Sequence, residues 1–307
     1  MKSSLFSFLL VLFYCSGVVA QDHACSKAKI NSYSKRQAYQ ASAQTSSSSS
    51  NQLVHETKYN VKFVHLNLFL ERNTLMVKGG VKTVASVTST ALDTFQTLLH
   101  QNHVIDSIRF NGSLVNAIRQ DSILKFKTPS TLANGSTFTV SIYYQGLAPS
   151  GGGAIGSGYN IDVDPNYNAE VSWSLSEALV AYQWWPCKQM LTDKIDSSWV
   201  FVTTDSANKV GSNGRLQNVV LLGNKKRYEW KSRTPIAYYL ISVAIAKYKE
   251  YNFYVKPNYL ANDSIFVQNY IYSSAINTSI FNQWEKPELD KLPAVMKLYC
   301  NLFGMYP

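Results

Sequence analysis

Residues that build metal centres and covalent cross-links are scarce in this sequence. Among 307 residues there are five histidines and four cysteines. One cysteine, Cys15, lies in an apolar leader expected to be removed, which leaves Cys25, Cys187 and Cys300. Three thiols allow at most one bridge, and their wide spacing excludes a zinc ribbon or a redox pair. A disulfide scaffold is excluded, so core burial must stabilise the fold, and Cys187 is expected as a buried free thiol. The histidines offer no more. "VHETKY" opens like the zinc motif H-E-x-x-H, yet Tyr59 stands where the second histidine belongs. One imidazole cannot hold a catalytic zinc, which takes about three protein ligands. His100 and His103 have no carboxylate partner at a clear spacing and are expected at the surface. No G-x-S-x-G nucleophile motif occurs. Glycine is dense only in "APSGGGAIGSGYN", which lacks the Lys-Ser/Thr of a phosphate loop and precedes no helical pattern, so a loop is expected there.

Negative charge is also in deficit. Nineteen acidic residues face 29 lysines and arginines, a net charge of +10. The cations are scattered and form no run interleaved with aromatics, so nucleic acid is not an expected partner. A basic, solvated surface that attracts anionic substrates or membranes at long range is expected instead. No apolar run reaches the roughly 20 residues of a spanning helix, so no membrane span is expected.

What is present begins with a leader. Lys2, the apolar "LFSFLLVLFYC" and the small residues of "VVA" read as a signal peptide over residues 1–20, cut near Ala20. The chain is therefore expected to be secreted or periplasmic. Residues 21–52 are polar and end in "SAQTSSSSSNQ", a composition that buries too little apolar surface to offset its ordering entropy. A disordered leader is expected there.

From residue 53 the pattern is that of strands. "YNVKFVHLNLFLE" alternates, then shifts phase after Phe63, which predicts a bulge or burial on both faces. In "DSIRFNGSL" the Asn111-Gly112 pair predicts a hairpin. In "FTVSIYYQG" the residues Phe138, Val140, Ile142 and Tyr144 share one face. "SSWVFVTTD", "KRYEWKS" and "IAYYLISVAIAKYKEY" continue the pattern. Helix is expected in two places only, at residues 176–179 and in "PELDKLPAVMKLYCNLFG". Strands without strand–helix alternation predict a mainly β, antiparallel, saddle-like sandwich.

The stretch "SEALVAYQWWPCKQMLTDKIDS" fits neither period. Trp184, Trp185 and Pro186 read as a rigid apolar plug. Glu177 lies just upstream, and a carboxylate beside aromatic walls suits a cation such as an ammonium group. A helix cap or a solvated loop carboxylate is the plainer alternative. The stretch resembles the N-terminal domain signature of aminopeptidase N-type zinc metallopeptidases. Glu177, Pro186, Cys187, Lys194 and the turn Ser212, Asn213, Gly214 fall on that pattern. "TPIAYYLISVAIAKYKEY" resembles the last strands before the family's catalytic domain, and "LPAVMKLYCNLFGMYP" its first catalytic helix. The signal peptide and the "WWPCKQ" variant are similar to those of secreted bacterial members. Tyr182 replaces a frequent arginine of the pattern, and Lys188 and Gln189 replace a frequent acidic pair.

The resemblance implies a β domain over residues 53–284 and the start of a catalytic domain over residues 285–307. It implies that Glu177 binds the free amine of peptide N-termini, in partnership with a catalytic domain that is missing here. Zinc is the family's cofactor. Its motifs, G-x-M-E-N and H-E-x-x-H, belong beyond Pro307, so this chain alone is expected to bind no zinc and to be inactive. A non-catalytic peptide- or carbohydrate-binding sandwich, or a structural surface protein, are the competing readings.

Overall fold

A computed structural model of the chain describes residues 54–150, 157–260 and 264–304. The signal segment, the Ser-rich leader, Cys25 and the centre of the glycine-dense segment lie outside the described residues. No described helix is long and apolar enough to cross a membrane.

The chain is mainly β, as its alternation predicts. Its largest sheet has eight strands. Their spatial order is Arg215–Leu222, Lys225–Ser232, Ser197–Asp205, Tyr59–Phe69, Met76–Val87, Thr137–Leu147, Val104–Phe110 and Ser113–Val115. All neighbours are antiparallel except at the centre, where Tyr59–Phe69 runs parallel to Ser197–Asp205. Sequence alternation cannot distinguish that pairing, because a strand's period is the same in either direction. The phase shift in the first strand is a bulge between Val61 and Phe63. The Val104–Phe110 hairpin turns at Asn111 (φ 48°) and Gly112 (φ 89°), the two positive angles that a tight hairpin turn requires.

One face of this sheet is buried. Leu66, Leu68, Val81, Phe138, Val140, Ile142, Tyr144, Val200 and Val202 are all at most 4% exposed. Two smaller sheets cover it. The first has the order Ala91–Leu98, Ile123–Ala133, Ile118–Gln120 and packs through aromatic rings. Phe95 stacks on Tyr59 at 5.3 Å, and Phe126 meets Phe110 at 5.8 Å. Each buried aromatic contributes roughly 150–250 Å² of covered surface, and a pair adds about 0.5–1.5 kcal/mol beyond that area. The second has the order Lys209–Ser212, Val243–Ala246, Ala169–Ser174, Tyr159–Asp164. Trp230 Nε1 of the large sheet donates to the Val210 carbonyl (3.0 Å), and the Tyr228 hydroxyl to that of Asn208 (3.0 Å).

Two expectations fail locally. Residues 236–251 are not one long strand: a 3-10 turn at Tyr238–Leu240 interrupts them, because Tyr238 leaves the ladder to bury its ring at 2% exposure. The C-terminal helical segment runs from Phe281 to Phe303, first as a π-helical turn and then as Leu292–Phe303. Within Leu292–Phe303 only Cys300 is buried. Val295, Leu298, Tyr299, Leu302 and Phe303 are exposed, so the helical periodicity is present without a covering surface.

Candidate functional site

Residues 176–188 open the stretch that fits no period. Helix was expected at residues 176–179. The structure has a turn there, and the only helical backbone is the 3-10 turn Ala181–Gln183. The reason lies at Glu177, whose φ is +40°. That left-handed conformation breaks a helix, and it is uncommon for a residue with a side chain. Such a residue costs of order 1 kcal/mol and persists only where its surroundings impose it.

The surroundings impose it through backbone oxygens. Val180 N–H donates to the Ser176 carbonyl (3.1 Å), and Gln183 N–H to that of Val180 (3.1 Å). The Tyr238 hydroxyl donates to the Ala178 carbonyl. His100 N–H donates to the Tyr182 carbonyl (2.9 Å), and the Tyr144 hydroxyl to that of Trp184 (2.8 Å). Leu98 and Cys187 exchange two backbone bonds, of 3.2 and 3.0 Å. Below the turn, Trp184 Nε1 donates to Ser176 Oγ (2.9 Å). Gly158 admits the turn: a β-carbon there would stand 2.3 Å from the Val180 carbonyl oxygen. Many carbonyls of this segment without regular structure are thus paired individually, as buried backbone demands.

His103 is part of this clamp and corrects an expectation. It is 0% exposed and not a surface residue. Its Nε2 carries a proton and donates to the Gln183 carbonyl (2.8 Å), and burial holds its pKa below the ordinary value. No local sequence pattern marks it, since its partner is far along the chain.

The tryptophans form the apolar plug expected from the sequence, and they are sealed rather than lining an open wall beside Glu177. Trp184 and Trp185 are 0% and 1% exposed. They lie beneath the turn as a plug and support its backbone. Glu177 itself is exposed. Among the described residues no hydrogen bond or ion pair holds its carboxylate. A small cavity under the plug, bounded by Tyr59, Thr97, Trp185, Cys187 and Tyr238, has room for a water molecule and not for an amino acid. Cys187 is 4% exposed and free, and burial raises its thiol pKa well above the usual range.

Downstream, Lys188 and Gln189 find a use that the sequence did not reveal. Lys188 Nζ meets Asp193 Oδ2 at 2.5 Å, with the two side chains 5% and 8% exposed. It also donates to the Tyr59 carbonyl and lies 4.8 Å from the centre of the Tyr59 ring. Asp193 Oδ2 in turn accepts from Val61 N–H (3.2 Å). Glu56 is 1% exposed, and its Oε2 accepts Gln189 N–H (3.3 Å). Burial pushes the Glu56 carboxyl up to about 8. Together these groups tie the far arm of the turn to the start of the first strand. The place of Lys188 where the family pattern often has an acid was the one available signal.

Among the described residues, no group of three or more His, Cys, Asp or Glu side chains is placed to hold a metal ion.

No family model matches the sequence, and no curated protein matches it. Solved structures do match its fold. An M1 zinc metallopeptidase from Deinococcus radiodurans superposes with a TM-score of 0.67 at 17% identity, over 81% of this chain and 55% of its own. A mutant of that M1 zinc metallopeptidase bound to a Tyr-Ser-Ala substrate matches equally well, with a TM-score of 0.67 and 17% identity over the same 81% and 55%. Native yeast LTA4 hydrolase matches with a TM-score of 0.51 at 17% identity, over 64% of this chain and 30% of its own. The fold is that of these zinc metallopeptidases, and the chain spans about half the length of the Deinococcus proteins.

Proposed function

We propose that this chain supplies the substrate-anchoring region of an exported zinc aminopeptidase, in which Glu177 receives the free α-ammonium group of a peptide. The observation that carries this reading is the turn: an exposed, unpaired carboxylate at φ +40°, mounted on a backbone tied at both flanks. A strained residue that its own side chain does nothing to stabilise is accounted for by a role outside the fold. The likeness to metallopeptidase folds supports the same reading.

In this reading the zinc and its ligands belong to a further domain, and residues 285–307 open that domain. No set of described side chains fits the metal, so no chemical step is derived through it. What the described residues do is position. A carboxylate held on a fixed turn sets where the substrate's amine stops, and so which peptide bond reaches the reacting group. In this reading the whole enzyme releases residues from peptide N-termini. A charge-assisted contact of this kind contributes about 1.5–3 kcal/mol, which corresponds to roughly tenfold to a few hundredfold in kcat/KM.

The test is Glu177→Ala and Glu177→Gln in the enzyme that carries both domains, with an amino-acid amide and its N-acetylated counterpart as substrates. Acetylation removes the ammonium group. Both variants should lose efficiency on the free amine, Glu177→Gln less, and neither should lose further on the acetylated substrate. Wild-type efficiency in both variants would return Glu177 to a loop carboxylate.

A further inference from the structure

The buried face of the large sheet makes the core and supports the turn. Its opposite face carries a separate pattern. Cross-strand pairing places Arg215 opposite Lys231, Lys231 opposite Trp199, and Trp199 beside His65. The line continues from His65 to Lys82, and through Ser141 to Arg109. Seven strands thus contribute one residue each to a single row. At the usual strand spacing the row is roughly 29 Å long. It holds four cations, one histidine and no carboxylate.

The alternation of burial shows that this row faces outward. Its chain neighbours Leu66, Val81, Ile108, Val200 and Trp230 are at most 6% exposed, whereas Arg215, Lys82 and Arg109 are exposed. Among the described residues no ion pair holds Lys82, Arg215 or Lys231. The nearest acid in the adjoining row, Glu229, is already bound by Arg227 (2.6 Å) and by the Asn218 amide (3.0 Å). The aromatic part is equally specific. Trp199 and Phe201 stack at 5.9 Å with planes 7° apart, and Lys231 Nζ stands 4.0 Å from the Trp199 ring centre. Arg227 and Lys231 lie 5.8 and 5.9 Å from the Phe201 ring. The rings hold the cations in place.

We propose that this row binds a linear anionic polysaccharide, laid across the strands with its charged groups on Arg215, Lys231, Lys82 and Arg109. An acidic peptide pairs with a sheet along an edge, where it finds backbone groups, whereas a ligand crossing the strands meets side chains alone. A single-stranded nucleic acid needs free aromatic faces for its bases, and here cations and neighbouring rings take those faces. What the row offers is charge at intervals on a fixed line, which is complementary to a polymer with regularly placed sulfate or carboxylate groups. This inference does not rest on the role of Glu177.

Heparin is the probe, titrated into the full chain at about 50 mM salt and followed by tryptophan fluorescence, with Trp199 as the local reporter. Binding should weaken steeply with salt. The double variant Lys82→Glu and Arg215→Glu changes only exposed side chains, and it should lower heparin affinity at least tenfold and flatten the salt dependence. The same number of changes elsewhere, Lys249→Glu and Lys256→Glu, should alter affinity less than threefold. Absence of heparin binding at low salt, or equal losses from the two double variants, would overturn the proposal. So would poly-L-glutamate or single-stranded DNA of matched charge binding as tightly as heparin, since either would name a different class of partner.

Discussion

Among the described residues, two segments outside the sheets are opposites. Residues 175–188 have almost no regular structure, yet the carbonyls of Ala178, Tyr182, Gln183, Trp184 and Cys187 are held by distant groups and their tryptophans are sealed. Residues 281–303 are helical almost throughout, yet Trp284 and Phe303 are 73% and 81% exposed. Regularity and fixity are therefore different properties. A helix satisfies most of its backbone groups internally. An irregular turn borrows much of its pairing from other elements, so it keeps its shape only while the sheets around it keep theirs.

That contrast predicts its largest effect at Lys188. Lys188→Met leaves Asp193 buried without its counter-charge and should cost about 3–5 kcal/mol in urea unfolding. Leu302→Ala, on the exposed helix, should stay within about 0.5 kcal/mol. Equal costs would erase the distinction between the two regions.

Glu56 gives an intermediate effect with a defined pH window. Its carboxyl is raised to about 8 in the fold, from an ordinary value of 4.5. Between these values the unfolded chain has lost the proton that the folded chain keeps, so its contribution to stability falls as pH rises from 4.5 to about 8. Glu56→Gln should remove that dependence, and the stability of the variant relative to wild type should grow between pH 5 and pH 8. A constant difference would show that Glu56 is ionised in the fold.

A small effect, of the opposite sign, is expected at Glu177. Glycine adopts its φ of +40° without strain. Glu177→Gly should thus leave the midpoint of unfolding unchanged or raise it slightly, by less than about 1 kcal/mol. A clear loss of stability would mean that the carboxylate supports the turn, and it would remove the argument for an external partner.

Much of the fold was legible in the sequence. Phe138, Val140, Ile142 and Tyr144 announced a buried face by strict alternation, and all four line the core. The phase shift after Phe63 marked a real bulge, and Asn111-Gly112 marked a real hairpin. The candidate site was less legible. Glu177 came forward through family resemblance, because nothing in its neighbours announces a positive φ. His103, Tyr144 and Tyr238 hold the turn from positions 40 to 80 residues away. Contacts of that range leave no period behind. The Lys188–Asp193 pair is close in sequence, but its meaning depends on the Tyr59 carbonyl at the other end of the domain.

The parallel seam at the centre of the large sheet has a consequence for how the molecule is made. Phe63 pairs with Ser197, so the first strand to leave the ribosome waits for a partner encoded far downstream. At synthesis rates of ~5–20 residues per second that wait is on the order of ten seconds. Through that interval the hairpin of Tyr59–Phe69 and Met76–Val87 carries an unpaired edge that is the future middle of the sheet. A holding chaperone that masks this edge would have its task defined by one register, and its release would coincide with the arrival of Ser197–Asp205.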